Sequence, residues 1–367
     1  MRITFPHLGD VHRFARLMFR EMGIEVVAPD KNSAMTLEMG SSISPEEMCL
    51  PFKIMAGNLI SAWEKGANTV VMPATMGPCR LGEYGELLRE LLMEEGFDYR
   101  WILLDAKDAI GIKELLRRMG ETVAEKNCNW PVVIKALINT YGLIADFETL
   151  EMEARALSGW DMERGYSGRL LEQGRRGLDE ARNLKEARRR IKEIRARLLK
   201  TPIDRGKKPL RILLTGEIYS SIEPFANHKI ESLLMSRGVS FERRIGIGWW
   251  IRNTIKPTFG KKPVEDCDNP HMPWHIGGYA HETLKEIKRY GQGGFDGIIQ
   301  LLPVGCMPEI VAKSVLDDAA RDGEVKVLTM IFDEMGGEAG YITRVEAFLD
   351  LLERDRLRNG IGKESMG

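Results

Sequence analysis

Residues 70–84, VVMPATMGPCRLGEY, open as a short apolar run and close in a Gly-Pro loop that carries a cysteine. The run has no polar alternation and is too short for a helix, so it reads as a strand buried on both faces. A helical pattern follows at about 83–95. A buried strand feeding a helix is the repeating unit of a parallel sheet, and the same alternation surrounds this stretch. Candidate strands stand at 2–5, 24–29, 69–74 and 100–106, with helical stretches near 10–22, 51–65, 83–95 and 111–125. A further helix over 131–158 leads out of the unit.

The pattern restarts at LRILLTG (210–216), a strand ending in glycine. A helix at about 226–237, strands at 239–245, 297–305 and 326–332, and a terminal helix at 341–356 continue it. Residues 246–282 are rich in Gly, Trp, Pro and His with little periodicity, and read as a long ordered loop or cap. The chain is therefore expected to be α/β: an N-terminal parallel-sheet domain over 1–158, a helical connector over 159–208, and a C-terminal α/β domain over 209–367.

Composition bounds the function. The chain has 367 residues, enough for two domains, with 43% hydrophobic and 29% charged residues and a formal net charge of -1. That charge gives no reason to expect a nucleic-acid partner. No apolar run reaches the roughly 18 residues of a membrane span. The N-terminus lacks a secretory pattern, which makes the cytoplasm the expected location. Residues 167–200 hold 12 lysines and arginines against five acids. Leu178, Ala181, Leu184, Ala187, Ile191, Ile194 and Leu198 recur at three- and four-residue steps there, as in an amphipathic inter-domain helix with a solvated face. No aromatic residues interleave the basic ones, as a base-stacking surface would require.

The five cysteines are scattered, an odd number unlike a secreted disulfide framework. Cys79 and Cys306 each follow a β-run, where open α/β sheets bind ligands. Cys49 and Cys306 share the form Cys-x-Pro and precede helical patterns, and helix starts favour anionic sulfur. Cys128 has no such context. Cys267 with His271 and His275 gives Cys-x3-His-x3-His, three potential zinc ligands without a fourth. On spacing alone, two readings of the first three cysteines stand level: buried structural thiols, or thiolate ligands of an iron–sulfur cluster, normally held by four.

Cys49-Leu-Pro-Phe-Lys with Gly57, Gly-Pro-Cys79-Arg-x-Gly-x-Tyr, Gly-Glu217-Ile-Tyr with Pro224-Phe-Ala-Asn227, and Cys306-x-Pro-Glu309 together resemble the 2-hydroxyacyl-CoA dehydratase and benzoyl-CoA reductase superfamily. The resemblance is closer still to the acyl-CoA dehydratase activase-related proteins, and it extends from Gly9 to the Arg344-x-Glu346-Ala347-Phe348 stretch. It implies two Rossmann-like or flavodoxin-like domains with a [4Fe–4S] cluster at their meeting place, held by Cys49, Cys79 and Cys306. It also implies an ATP-dependent activase that delivers low-potential electrons, and a bound small molecule, such as an acyl-CoA thioester, that receives them. A homologous second subunit or a homodimer is part of the same expectation. The sequence has no phosphate-binding Gly-x4-Gly-Lys-Ser/Thr, which agrees with nucleotide handling by a partner. Lys53 and Arg80 are expected to offset cluster charge, and Glu217 to point into the same crevice. Glu309 is expected beside the site or as a helix-start acid, and Asn227 on a loop backbone or a ligand. The alternative is a non-catalytic electron-transfer or scaffold subunit paired with a cluster-bearing homologue.

Overall fold

A computed structural model describes residues 1–74, 80–105, 120, 129–255, 272–274, 276–323 and 325–364. Two four-stranded sheets, each wholly parallel, form its framework. The first contains β1 (Arg2–Thr4), β2 (Glu25–Val26), β3 (Thr69–Ala74) and β4 (Arg100–Asp105) in the order β2-β1-β3-β4. The second contains β5 (Arg211–Gly216), β6 (Ser240–Arg243), β7 (Gly297–Pro303) and β8 (Val327–Phe332) in the order β6-β5-β7-β8. Strand order is thus the same in both sheets, and it is that of flavodoxin-like domains. In each, the connections diverge from the first strand, so a crevice opens beyond the carboxyl ends of the two central strands.

Helices α1 (Val11–Glu21), α2 (Ala34–Ser41), α3 (Leu50–Glu64) and α4 (Tyr84–Glu94) accompany the first sheet. Next come α5 (Trp130–Leu157), α6 (Tyr166–Glu180) and α7 (Leu184–Leu198). The second sheet is accompanied by α8 (Ile218–Ile222), α9 (Ile230–Ser236), α10 (Ile247–Trp250), α11 (Ala280–Gly291), α12 (Met307–Arg321) and α13 (Glu338–Glu364). Helix α5 packs on both α1 and β6. One apolar core, including Leu59, Val70, Phe147, Ile191, Leu214 and Phe332, runs from the first sheet through α5 and α7 into the second.

The strands fall within about two residues of their expected places, except β2. β1 stops at Thr4 and β2 has two residues in place of six. Proline has no N–H for a ladder, and Pro6 and Pro29 truncate this edge. The expected helix at 111–125 lies outside the described residues. The amphipathic stretch over 167–200 is not one helix: Ala181 is extended (ψ 138°), and α7 restarts on Asn183, whose side chain accepts from Glu186 N at 2.9 Å. Glu186 in turn accepts from Arg182 N at 3.0 Å. A side-chain cap of this kind ends one helix and begins the next at the cost of a few residues. Of the stretch 246–282, read as a long loop or cap, α10 and a π-turn at Ile251–Ile255 occupy the start and α11 begins at Ala280, while 256–271 and 275 lie outside the described residues. The terminal helix is longer than expected at both ends.

Part of the positive charge of the connector is answered within the chain. Arg188 pairs with Asp146, Arg195 with Glu153, Arg190 with Glu180 and Glu186, and Arg175 with Asp10 and Glu151. No helix among the described residues is long and apolar enough to cross a membrane.

Candidate functional site

Cys49 and Cys306 occupy equivalent positions in the two halves. Each is the N-cap of a fifteen-residue helix, Cys49 of α3 and Cys306 of α12, with extended backbone and proline in the first turn. Proline is well placed there because the first N–H groups of a helix have no intrahelical acceptor. The repeated Cys-x-Pro is therefore a helix-start signature that also sets a sulfur at the positive end of a helix dipole.

Helix α3 is held in place by α2 through two glycines that face each other. A Cβ on Gly57 would lie 1.7 Å from Thr36 O, and one on Gly40 would lie 1.8 Å from Lys53 O. The backbones touch, and only hydrogen fits between them. In the second sheet, Gly216 closes β5 at φ +130°, where a Cβ would lie 1.9 Å from Leu301 O of β7. Both the left-handed backbone and the close strand approach require glycine. The turn it permits aims Glu217 out of the sheet.

These elements enclose a cavity of about 430 Å³. Cys49, Pro51, Leu81 and Tyr84 come to it from the first half, and Glu217, Pro303 and Cys306 from the second. The hydroxyl of Tyr84 shares a short hydrogen bond with Cys49 Sγ, and the Tyr84 ring packs edge-on against Phe52 at 5.1 Å. Cys49 is buried, while Cys306 is half-buried. Cys79 lies outside the described residues, as do Cys128, Cys267, His271 and His275. Leu81, two residues beyond Cys79 in sequence, is part of the cavity wall. Among the described residues, no group of three His, Cys, Asp or Glu side chains is arranged to hold a metal ion.

The other expected site residues divide. Glu217 lines the cavity; its carboxylate caps α8, accepting from Tyr219 N and Ser220 N, both at 2.8 Å. Burial pushes its carboxyl above the usual range, opposed by those two N–H bonds. Glu309, three residues beyond Cys306, is fully buried behind the cavity wall. Gln300 Nε2 donates to it at 2.9 Å, and the Thr283 hydroxyl lies 3.0 and 3.1 Å from its two oxygens. Burial is the main cause that raises its carboxyl to about 7, and the nearby Glu217 adds to it. Lys53 is buried but points to Glu334, at 2.7 Å, and to Glu46 O. Arg80 heads the 3-10 turn Arg80–Glu83 that carries Leu81. Asn227 is elsewhere: it donates to Ser220 O at 2.8 Å and lines a second cavity. His281 is in the first turn of α11, its Nε2 3.0 Å from Trp274 O.

Sequence reasoning missed Tyr84 as a partner of Cys49 and Glu334 as the partner of Lys53. Tyr84 was visible only as the last residue of a motif. Nothing local marks Glu334.

The described geometry offers two soft sulfur donors from opposite halves, apolar walls and a buried carboxyl. Thiolates in apolar surroundings suit a soft metal or a cluster. Residues 7–80 match a family model described as a CoA enzyme activase uncharacterised domain. The matched stretch contains both Cys49 and Cys79. No curated protein matches the chain.

Proposed function

We propose that the chain is an iron–sulfur redox protein in which Cys49, Cys79 and Cys306 hold a [4Fe–4S]-type cluster. In this reading it accepts low-potential electrons from an ATP-dependent activase and passes them to a bound substrate, an acyl-CoA thioester in the leading case. The observation that carries the proposal is the convergence of Cys49 and Cys306 on one cavity, each at a helix start and each from a different half. The residues present fit such a group. Both sulfurs stand where helix dipoles favour negative charge, and the Pro51, Leu81, Pro303 and Pro308 walls keep the surroundings apolar. When bound, the cluster supplies one-electron chemistry and an iron with an exchangeable position.

The chain's own side chains have separate tasks. Cys49 and Cys306 anchor from the two halves, and Tyr84 orients the Cys49 sulfur and tempers its charge through their hydrogen bond. Glu217 faces the same space with a carboxyl that burial biases towards the protonated form, so it is placed to hold a proton beside a reduced substrate. Glu309 behind it, with its carboxyl near neutrality, keeps further negative charge away from the cavity below about pH 7.

The test is purification under anaerobic conditions followed by iron and acid-labile sulfide analysis and EPR of the reduced protein. Iron and sulfide in comparable amounts, with a reduced-state signal that Cys306→Ala and Cys79→Ala abolish, are the expected results. A chain that takes up no iron on reconstitution, with cysteine variants indistinguishable from the parent, would sink the proposal.

A further inference from the structure

A second cavity, about 560 Å³, opens between α6 and the segment 221–236, from the end of α8 through α9. Its volume is in the range of small-molecule sites. Glycines line its α6 side; a Cβ on Gly168 would meet Met235 Sδ at 3.1 Å. Its floor is charged but balanced. Arg175 pairs with Asp10 at 3.1 Å and Glu151 at 3.3 Å, and Arg243 pairs with Glu231 at 2.6 Å. Arg155 completes the balance, pairing with Glu151 at 3.1 Å and with Glu231 at 3.2 Å, and six charged groups locked in this way, three of each sign, do not rearrange to meet a ligand.

The rim is not balanced. Arg164 and Lys229 both line the cavity, and among the described residues neither has a carboxylate partner within ion-pair distance. Ser221 lines it as well; it is 1% exposed, and its hydroxyl has no hydrogen-bond partner. A buried donor without an acceptor is costly to keep, so a site that supplies the acceptor from outside is the economical explanation. Lys229 is held at φ +57°, directly after His228 at φ +51°, so its backbone position is fixed by the surrounding fold and not by local preference. The remaining wall is mixed: Leu171, Ile222, Pro224 and Met235 give it an apolar part, beside the polar Asn227, Ser232 and Ser236 and the charged Arg169 and Glu172.

We propose that this cavity binds a small organic anion. Arg164 and Lys229 meet a phosphate or carboxylate group, the Ser221 hydroxyl donates to it, and the apolar part of the wall takes the carbon skeleton. The site contains no cysteine and does not depend on the cluster. It joins α6 of the connector to the second half, so occupancy draws those two parts together.

The iron-free chain is titrated calorimetrically with inorganic phosphate, glycerol 3-phosphate and malonate, with chloride at matched ionic strength as the reference. Saturable binding of at least one probe is expected, with at least a tenfold loss in the Arg164→Gln/Lys229→Asn double variant and a severalfold loss in Ser221→Ala. Asparagine tolerates the left-handed backbone at 229, so that variant folds. Arg189→Gln, an exposed change on α7, is expected to bind as the parent does. The preference between phosphate and malonate assigns the anionic group. Absence of saturable binding, or a double variant that binds like the parent, overturns the site. A glycerol phosphate that binds no tighter than inorganic phosphate overturns the organic part of the assignment.

Discussion

Replacing Glu334 by alanine is expected to destabilise the chain more than replacing Lys53 by methionine, although both changes remove the same ion pair. Lys53 Nζ and Glu334 Oε1 are 2.7 Å apart, one on α3 and the other just beyond β8, so the pair fastens the two halves beside the cysteine cavity. The side chains differ in depth: Lys53 is 4% exposed and Glu334 is 37% exposed. Without Glu334, the ammonium stays buried with only Glu46 O, at 3.3 Å, and an uncompensated buried charge costs about 3 kcal/mol. Without Lys53, the Glu334 carboxylate turns to water and methionine keeps most of the packing, so the loss is about 1 kcal/mol. Adding Lys53→Met to Glu334→Ala removes the stranded charge and should recover about 2 kcal/mol. Urea unfolding of the parent, the two single variants and the double variant reads these differences from midpoints at constant slope. A double variant less stable than Glu334→Ala alone would refute the reasoning, because it would mean that the buried ammonium was never stranded.

Gly57→Ala places a Cβ 1.7 Å from Thr36 O and should cost at least about 1–3 kcal/mol, whereas Gly291→Ala, with open space around it, should lie within about 0.5 kcal/mol of the parent in the same assay. Gly57→Ala should also lower iron uptake on reconstitution, since it displaces the helix that begins at Cys49. Glu309 has its carboxyl raised from 4.5 to about 7, so the folded chain binds more protons than the unfolded one between those values. Stability from this group is full below pH 4.5 and falls as pH rises through 7, by up to about 3 kcal/mol. Glu309→Gln should flatten that slope in unfolding curves at pH 5 and pH 8; an unchanged slope would place the proton elsewhere. Asn183→Ala removes the cap of α7 and should cost about 1 kcal/mol, visible as a lower thermal midpoint by circular dichroism.

The sheets were legible because their strands are apolar runs bounded by Gly and Pro, and the restart at Leu210 marks the second sheet. The shared placement of Cys49 and Cys306 was legible too, since Cys-x-Pro before a helical pattern is a local signal. The break at 181–183 was not. Leu178, Ala181, Leu184 and Ala187 keep one apolar stripe through it, because α6 and α7 both pack on α5. Only the Asn183-x-x-Glu186 cap marks the boundary. Lys53 and Glu334 are 281 residues apart, and the second cavity draws its walls from 151 to 243; such meetings are set by tertiary packing, which leaves no local trace.

The two sulfurs differ in depth. Cys49 is buried and bonded to Tyr84, while Cys306 is half-buried next to the exposed Val304 and Met307. The cavity therefore has a front and a back: whatever arrives from outside, oxidant, alkylating reagent or electron donor, meets the sulfur of the second half first. Two halves with matching strand order thus give their shared space a direction of approach.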